Sequence, residues 1–368
     1  MNSRCLWLTD NYPPQRGGMA QSCDRIINGL RQAGVEIDII HFTSKEGKAK
    51  KQQQQNGSYT SIPFSNSEAH VLNVAWNHIK TLPPFDFIVC FGGYISMTGA
   101  PIYSQWLNTR LVTLIRGNDL DAGIFTPRKR GILEDALRQS QLVCTVSSDK
   151  ADKITKWLNH ANAQFVANGI DLNEWQPTHS EKQFAMEWRK TNLPEKKTVL
   201  GIFGQLKAKK GLDFFLESIK RTSWSTNAHL LLIGETEEHL ENLLDSTDLT
   251  YSILPFHDRY ELMKYYLCCN AIVIPSFYDG MPNVLLEAGA LAIPVIGARV
   301  DGMADVITNN EDGLLFEPGN EDDCKRTLYQ FFRMPEDQQK ALGENLKRTI
   351  ETKYTVDHEI DNYKKLLL

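Results

Sequence analysis

The chain has 368 residues, 42% hydrophobic and 23% charged, with a formal net charge of -5. That length exceeds what one ordinary core supports, so two domains are predicted, and the mild acidity gives no reason to expect nucleic acid as a partner. No apolar run approaches the roughly 20 residues that cross a bilayer, and "MNSRCLWLTDNYPP" lacks the long apolar core of a signal peptide, so a soluble chain is expected.

The predicted elements begin with a strand, "CLWLT" (5–9), and a helix, "MAQSCDRIINGLRQAG" (19–34), closed by Gly34. "VEIDIIHF" (35–42) is the next strand, and this βαβ rhythm predicts a parallel, helix-flanked sheet. "SKEGKAKKQQQQNGS" (44–58) is polar and low in complexity and is read as an exposed loop. Strands resume with "FDFIVCFGG" (85–93), "RLVTLIRG" (110–117) and "LVCTVS" (142–147). Around 168–198 the periodicity lapses, and the inter-domain linker is placed there. A second series follows: "TVLGIFG" (198–204), "HLLLIG" (229–234), "YSILPF" (251–256), "NAIVIP" (270–275) and "IPVIGA" (293–298), then helical patterns to the end. The charge divides too, with a net of +3 over residues 1–175 and -8 over the rest. Seven cysteines without metal-type spacing fit a reducing compartment. The architecture expected is α/β, two Rossmann-like domains with a cleft between them. In such open sheets ligands bind beyond the carboxyl ends of the strands.

Four segments occupy such positions. Gly17-Gly18, in "NYPPQRGGMAQ" (11–21), directly precedes a helix; it is either an anion site or a plain tight turn. Arg116, Asn118, Asp119 and Asp121 cluster in "RGNDLDAGIF" (116–125), as a ligand site or as a capped turn with a surface ion pair. In "FGQLKAKKGLDFFLESI" (203–219), lysines at a helix start oppose the macrodipole, a conflict that a bound anion resolves. Lys210, beside Gly211, is the candidate phosphate ligand, while Lys207 and Lys209 read as solvated. The fourth, "IPSFYDGMPNVLLEAGALAIPVI" (274–296), sets Asp279 and Glu287 in an otherwise apolar stretch. Pro282 suits the first turn of a helix, and the amides near Asn283 and Val284 form an anion site. Glu287 lies roughly 6–8 Å further along the helix, about the distance from a phosphate to the ribose of one nucleotide. Among apolar neighbours its carboxylate needs a partner, either a salt bridge or ribose hydroxyls.

An acidic residue followed after seven others by Glu, as in Asp279 and Glu287, resembles the signature of retaining glycosyltransferases. "PSFYDGMPNVLLEAGALAIPVI" is similar to glycosyltransferase family 4. "YPPQRGGMAQ", "ANGIDLNEW" (167–175), "FGQLKAKKGLDFFLESI" and "ARVDGMADVITNNEDGLLFEPGN" (298–320) resemble its other segments in the same order, over nearly the whole chain. The resemblance implies the GT-B fold. Its N-terminal acceptor-binding domain would be 1–175, with a last helix (about 354–368) crossing back to it, and its donor-binding domain 190–353.

By the same resemblance, Lys210 holds the donor diphosphate and Glu287 the ribose. Asp279 and the amides of Gly280, Met281, Pro282 (a carbonyl only, lacking N–H) and Asn283, with Val284 beyond, hold the sugar and distal phosphate. Gly17 and Gly18 face the diphosphate or acceptor, and Asn118 and Asp119 the acceptor. The chain departs from the pattern at Gln205, where Arg is usual, and at Arg116, where many members have His. Arg116 is therefore a candidate for the missing cation and joins Asp279 and Lys210 in the catalytic set. The implied activity is retaining transfer of a sugar from a nucleotide diphosphate, UDP- or GDP-linked, to a hydroxyl, with no metal and no cofactor. Polysaccharide, glycolipid or glycoconjugate synthesis is the setting. The alternatives are a non-catalytic nucleotide-sugar binding protein, suggested by Gln205, and a nucleotide-sugar epimerase on the same fold. Expected partners are the nucleotide sugar and a hydroxyl-bearing acceptor, lipid-linked in one reading. Lys45, Lys48, Lys50 and Lys51 with Arg128-Lys129-Arg130 offer contact with an anionic membrane, the alternative being solvated loops. The expected location is cytoplasmic, at most peripheral at the inner membrane surface.

Overall fold

The computed structural model describes residues 3–368 apart from 16, 45, 46, 48, 65, 66, 118, 119, 122, 160, 161, 194–196, 205, 207–209, 221, 236–238 and 248. The chain divides into two compact units, Met1–Asn168 with Val356–Leu368, and Gly169–Thr355.

The first unit opens with β1 (Arg4–Thr9), α1 (Gly18–Gln32), β2 (Glu36–Thr43), β3 (Lys50–Gln54), β4 (Gly57–Pro63) and α2 (Glu68–Ile79). It continues through β5 (Phe87–Phe91), α3 (Tyr94–Leu107), β6 (Arg110–Ile115), α4 (Pro127–Gln139), β7 (Leu142–Thr145), α5 (Ser148–Leu158) and β8 (Ala163–Phe165). The strands form one sheet in the order β3-β4-β2-β1-β5-β6-β7-β8, parallel except for β3. Its central strands are buried on both faces, which is why they read as continuous apolar runs.

One expectation is corrected here. Much of the stretch read as an exposed loop is the β3–β4 hairpin, with Lys50 opposite Ser61 and Gln54 opposite Gly57. Its two-residue turn places Asn56 at φ 55. Gly57 is required because a Cβ there would meet the carbonyl oxygen of Ile37 at 1.9 Å. β3 is an edge strand with mostly exposed side chains, so its composition is that of a loop although its backbone is paired.

The second unit begins with α6 (His179–Asn192), inside the stretch assigned to a linker. Only Ala185 of this helix is buried, so the apolar periodicity that marks a helix is nearly absent. The legible signal was the capping box of Thr178 and Glu181. There follow β9 (Thr198–Phe203), α7 (Leu212–Ile219), β10 (Ala228–Ile233), α8 (His239–Asp245), β11 (Thr250–Leu254), α9 (Arg259–Tyr266) and β12 (Ala271–Ile274). Then come α10 (Asn283–Ala290), β13 (Val295–Ala298), α11 (Asp301–Val306), β14 (Leu314–Phe316), α12 (Glu321–Arg333) and α13 (Glu336–Lys353). The sheet is wholly parallel, in the order β11-β10-β9-β12-β13-β14.

The chain ends in α14 (Val356–Leu367), which belongs to the first unit. Gly29 of α1 admits it, since a Cβ there would lie 2.4 Å from Ile360. Glu359 of α14, fully buried, accepts from Arg25 at 2.7 Å and from Arg116 at 3.0 Å. Such a carboxylate is tolerated in a core only because two guanidinium groups neutralise it.

Candidate active site

In the second sheet, β10 and β11 extend to one side of β9, and β12 begins the other side. The direction of winding reverses between β9 and β12, and the crevice beyond their carboxyl ends is where this topology binds ligands. Two turns are packed together there. Gly211, at φ 70 just before α7, lies so close to the end of β12 that a Cβ would meet the carbonyl oxygen of Pro275 at 2.0 Å. This approach brings Lys210 to Asp279, which follows β12, and the two side chains form an ion pair. Lys210 keeps 29% and Asp279 19% of its side-chain surface exposed, so both remain accessible.

A third turn, after β13, braces the second. The amide of Gly302 donates to the carbonyl of Gly280 at 2.7 Å, and the amide of Asp279 donates to Asp301 Oδ2 at 3.2 Å. Asp301 adopts a left-handed φ of 37, strained for a residue with a side chain. Asp301 and Gly302 were not foreseen as site residues. The strain is invisible in sequence, and an Asp-Gly pair reads as an ordinary turn.

From this turn the chain enters α10. Pro282 is its N-cap and supplies no side-chain cap, and the helix proper starts at Asn283, one residue after the start expected. The first amides of a helix lack intrahelical acceptors and carry the positive end of the dipole, the general reason the start of α10, at Asn283 and Val284, is expected to favour an anion. Glu287 lies one turn further on. One partner the structure gives it is the phenol of Tyr266, which donates to Oε2 at 2.6 Å. Burial, and then the charge of Glu287, push the Tyr266 hydroxyl well above its usual pKa. It therefore stays protonated, as a donor, at neutral pH.

The corresponding place in the first unit is filled from within. Asp10, just after β1, accepts from the amides of Ile95 at 2.8 Å and Ser96 at 2.9 Å and so caps α3. Gly17 and Gly18 begin α1, with Gly17 at φ 116 and open space where its Cβ would be. Arg116 lies in the core of the first unit. Its side chain is 1% exposed, and it donates to Glu359, to Asn168 and, at 2.8 Å, to the hydroxyl of Tyr363. The guanidinium thus holds α14 within the first unit. Gln205, Lys207, Lys209, Asn118 and Asp119 lie outside the described residues.

Comparisons with known proteins identify the family and the fold. Residues 185–349 match the family model "Glycosyl transferases group 1", and residues 16–174 match "Glycosyltransferase Family 4". The chain belongs to glycosyltransferase family 4. The first of these matches contains Lys210, Asp279, Glu287 and the bracing turn. Among relatives of this family 4 chain is the Staphylococcus aureus capsular polysaccharide biosynthesis glycosyltransferase CapM, 29% identical over 51% of this chain and 50% of CapM. The chain thus aligns with about half of CapM. The Bacillus subtilis putative teichuronic acid biosynthesis glycosyltransferase TuaC is 26% identical over 86% of this chain and 85% of TuaC. The Campylobacter jejuni N,N'-diacetylbacillosaminyl-diphospho-undecaprenol alpha-1,3-N-acetylgalactosaminyltransferase is 26% identical over 47% of this chain and 49% of that protein. The fold is GT-B. The sucrose-phosphate synthase of Thermosynechococcus elongatus superposes with TM-score 0.83 at 16% identity, over 99% of this chain and 98% of that one. Anabaena HepE in complex with UDP and glucose gives TM-score 0.78 at 14% identity, over 100% of this chain and 99% of that one.

Proposed function

We propose that this family 4 chain transfers a sugar from a nucleoside-diphosphate donor to a hydroxyl acceptor with retention of the anomeric configuration. The observation that carries this reading is the ion pair of Lys210 and Asp279 at the switch point, with α10 starting at Asn283 just after Asp279 and Glu287 one turn beyond. Lys210 and the α10 amides receive the diphosphate and stabilise it as the bond from sugar C1 to phosphate oxygen breaks. Asp279 orients the sugar, and Glu287 accepts from the ribose hydroxyls. The acceptor oxygen bonds to C1 on the face the phosphate leaves, and its proton passes to the departing phosphate oxygen. Positive charge at the leaving group comes from the protein, so no metal is needed in this scheme.

The acceptor is assigned to the first unit and to the lipid-linked class. The Campylobacter relative's name includes a diphospho-undecaprenol, and CapM and TuaC are named for envelope polysaccharides. Among the described residues no helix is long and apolar enough to cross a membrane. Reaching such an acceptor then calls for peripheral contact. Phe125, 82% exposed, precedes Arg128, Lys129 and Arg130 in the first turn of α4, an aromatic beside cations facing solvent.

Release of nucleoside diphosphate from UDP- and GDP-sugars, measured with soluble and lipid-linked acceptors and with excess EDTA, tests the reading. Acceptor-dependent release that survives EDTA, with a product of unchanged anomeric configuration by NMR, is expected. Binding of donor without acceptor-dependent release by any member of the panel would favour a non-catalytic sugar-nucleotide binder.

A further inference from the structure

Tyr266 lies at the end of α9 with no exposed surface. Its ring is locked edge-on between Phe203, at the end of β9, with centroids 4.6 Å apart, and Trp175, 5.7 Å away. Both neighbours are themselves buried. The ring therefore has one orientation, and its hydroxyl delivers a hydrogen bond to Glu287 Oε2 across 2.6 Å, a short charge-assisted contact. A glutamate carboxylate has about four acceptor positions, and the phenol takes one of them. A long flexible side chain loses rotamer freedom when it grips a ligand, and a fixed donor on one oxygen removes that cost beforehand.

We infer that Tyr266 is a positioning residue for nucleotide recognition, holding the Glu287 carboxylate in the orientation that accepts both ribose hydroxyls of the donor. The inference rests on the reading of Glu287 as the ribose ligand, and it adds Trp175 and Phe203 as the walls that keep the donor in line. Trp175 belongs to the segment that follows the entry of the chain into the second unit, and this reading ties it to the ribose through Tyr266.

The test is calorimetric titration of UDP and GDP, and of their 2′,3′-dideoxy forms, into the full chain and its Tyr266→Phe, Glu287→Ala and doubly substituted variants. Tyr266→Phe keeps the ring and removes only the donor. It is expected to weaken the ribonucleotides by about 3- to 10-fold, and Glu287→Ala by about 10- to 100-fold. The double variant should match Glu287→Ala. For the dideoxy forms, Tyr266→Phe should equal the parent within about twofold, because the hydroxyls that Glu287 serves are absent. A merely structural role for Tyr266 would weaken both nucleotide types alike, and that result overturns the inference. So does an unchanged ribonucleotide affinity in Tyr266→Phe while Glu287→Ala is weak; the ribose reading then stands alone. No effect from Glu287→Ala defeats the ribose reading itself. If Tyr266→Phe is unfolded, Tyr266→His, which keeps a ring and an N–H donor, is titrated in its place against the same pair of nucleotides. A ribonucleotide affinity in Tyr266→His within about threefold of the parent supports the inference, and equal losses for both nucleotide types overturn it.

Discussion

Gly302→Ala reports on whether the turn after β13 sets the donor site. A Cβ at this position would lie 2.3 Å from the carbonyl oxygen of Gly280 and 2.8 Å from Met281 Cα, where ordinary contact begins near 3.4 Å. Both obstacles are backbone, so no side chain can swing aside. Relief requires about 1 Å of separation between the two turns, the difference between those distances. That shift breaks the 2.7 Å bond from the Gly302 amide to Gly280 and falls on the residues joining Asp279 to α10. A misplacement of about 1 Å at a reacting centre costs on the order of 100-fold in rate, while overpacking costs about 1–3 kcal/mol of stability. Gly302→Ala is therefore expected to lose about 100-fold in nucleotide-release turnover, with a modest fall in unfolding midpoint. Gly131→Ala is the control, a helical glycine of α4 with nothing within 4 Å of its Cβ, and should keep full activity. Normal turnover in a Gly302→Ala protein that merely melts earlier would refute the reasoning.

Three further outcomes follow from the same contacts. Lys210→Ala should lower turnover by about 100-fold or more with the fold intact by circular dichroism, since the leaving phosphate loses its cation; an effect below about threefold would show that the phosphate lies elsewhere. Glu359→Ala strands Arg116, whose side chain is 1% exposed, and should cost about 3–5 kcal/mol in urea unfolding, whereas a surface pair would cost under about 1. Burial lowers the pKa values of His41 and His229 to about 4, from an ordinary value of 6.5. The unfolded chain therefore binds protons first, and stability that is complete above about pH 6.5 should fall as pH drops toward 4, by up to about 3 kcal/mol for each histidine. Urea titrations across that range check this, and His41→Gln should flatten the dependence.

Much of this was readable along the chain because its determinants are local. Buried parallel strands announce themselves as apolar runs, and Lys210-Gly211 and Asp279 to Glu287 are short segments whose chemistry conflicts with their surroundings. The hidden parts depend on distance through space. Arg116 finds Glu359 only because α14 returns to the first unit, 243 residues later. Tyr266 sits on α9 among ordinary core aromatics, and only the folded chain brings its hydroxyl to Glu287, 21 residues later. Asp301 carries its strain in a backbone angle that no residue pattern encodes. The β3 hairpin and α6 failed for a different reason. Each has little or no buried face, so hydrophobic periodicity, the strongest sequence signal, had nothing to act on.

The central claim is that Asp279 and Glu287 serve different parts of one donor, and isothermal titration with nucleoside diphosphate and then with intact nucleotide sugar tests it most directly. Glu287→Ala should weaken UDP or GDP by about 10- to 100-fold, since hydrogen bonds to a charged group are worth about 1.5–3 kcal/mol. Asp279→Ala should bind the same nucleoside diphosphate within about threefold of the parent and yet be crippled in transfer, because its partner is the sugar. If Glu287→Ala binds the nucleotide normally and only melts earlier, the Tyr266–Glu287 bond is core structure, and the donor site is not where this account places it.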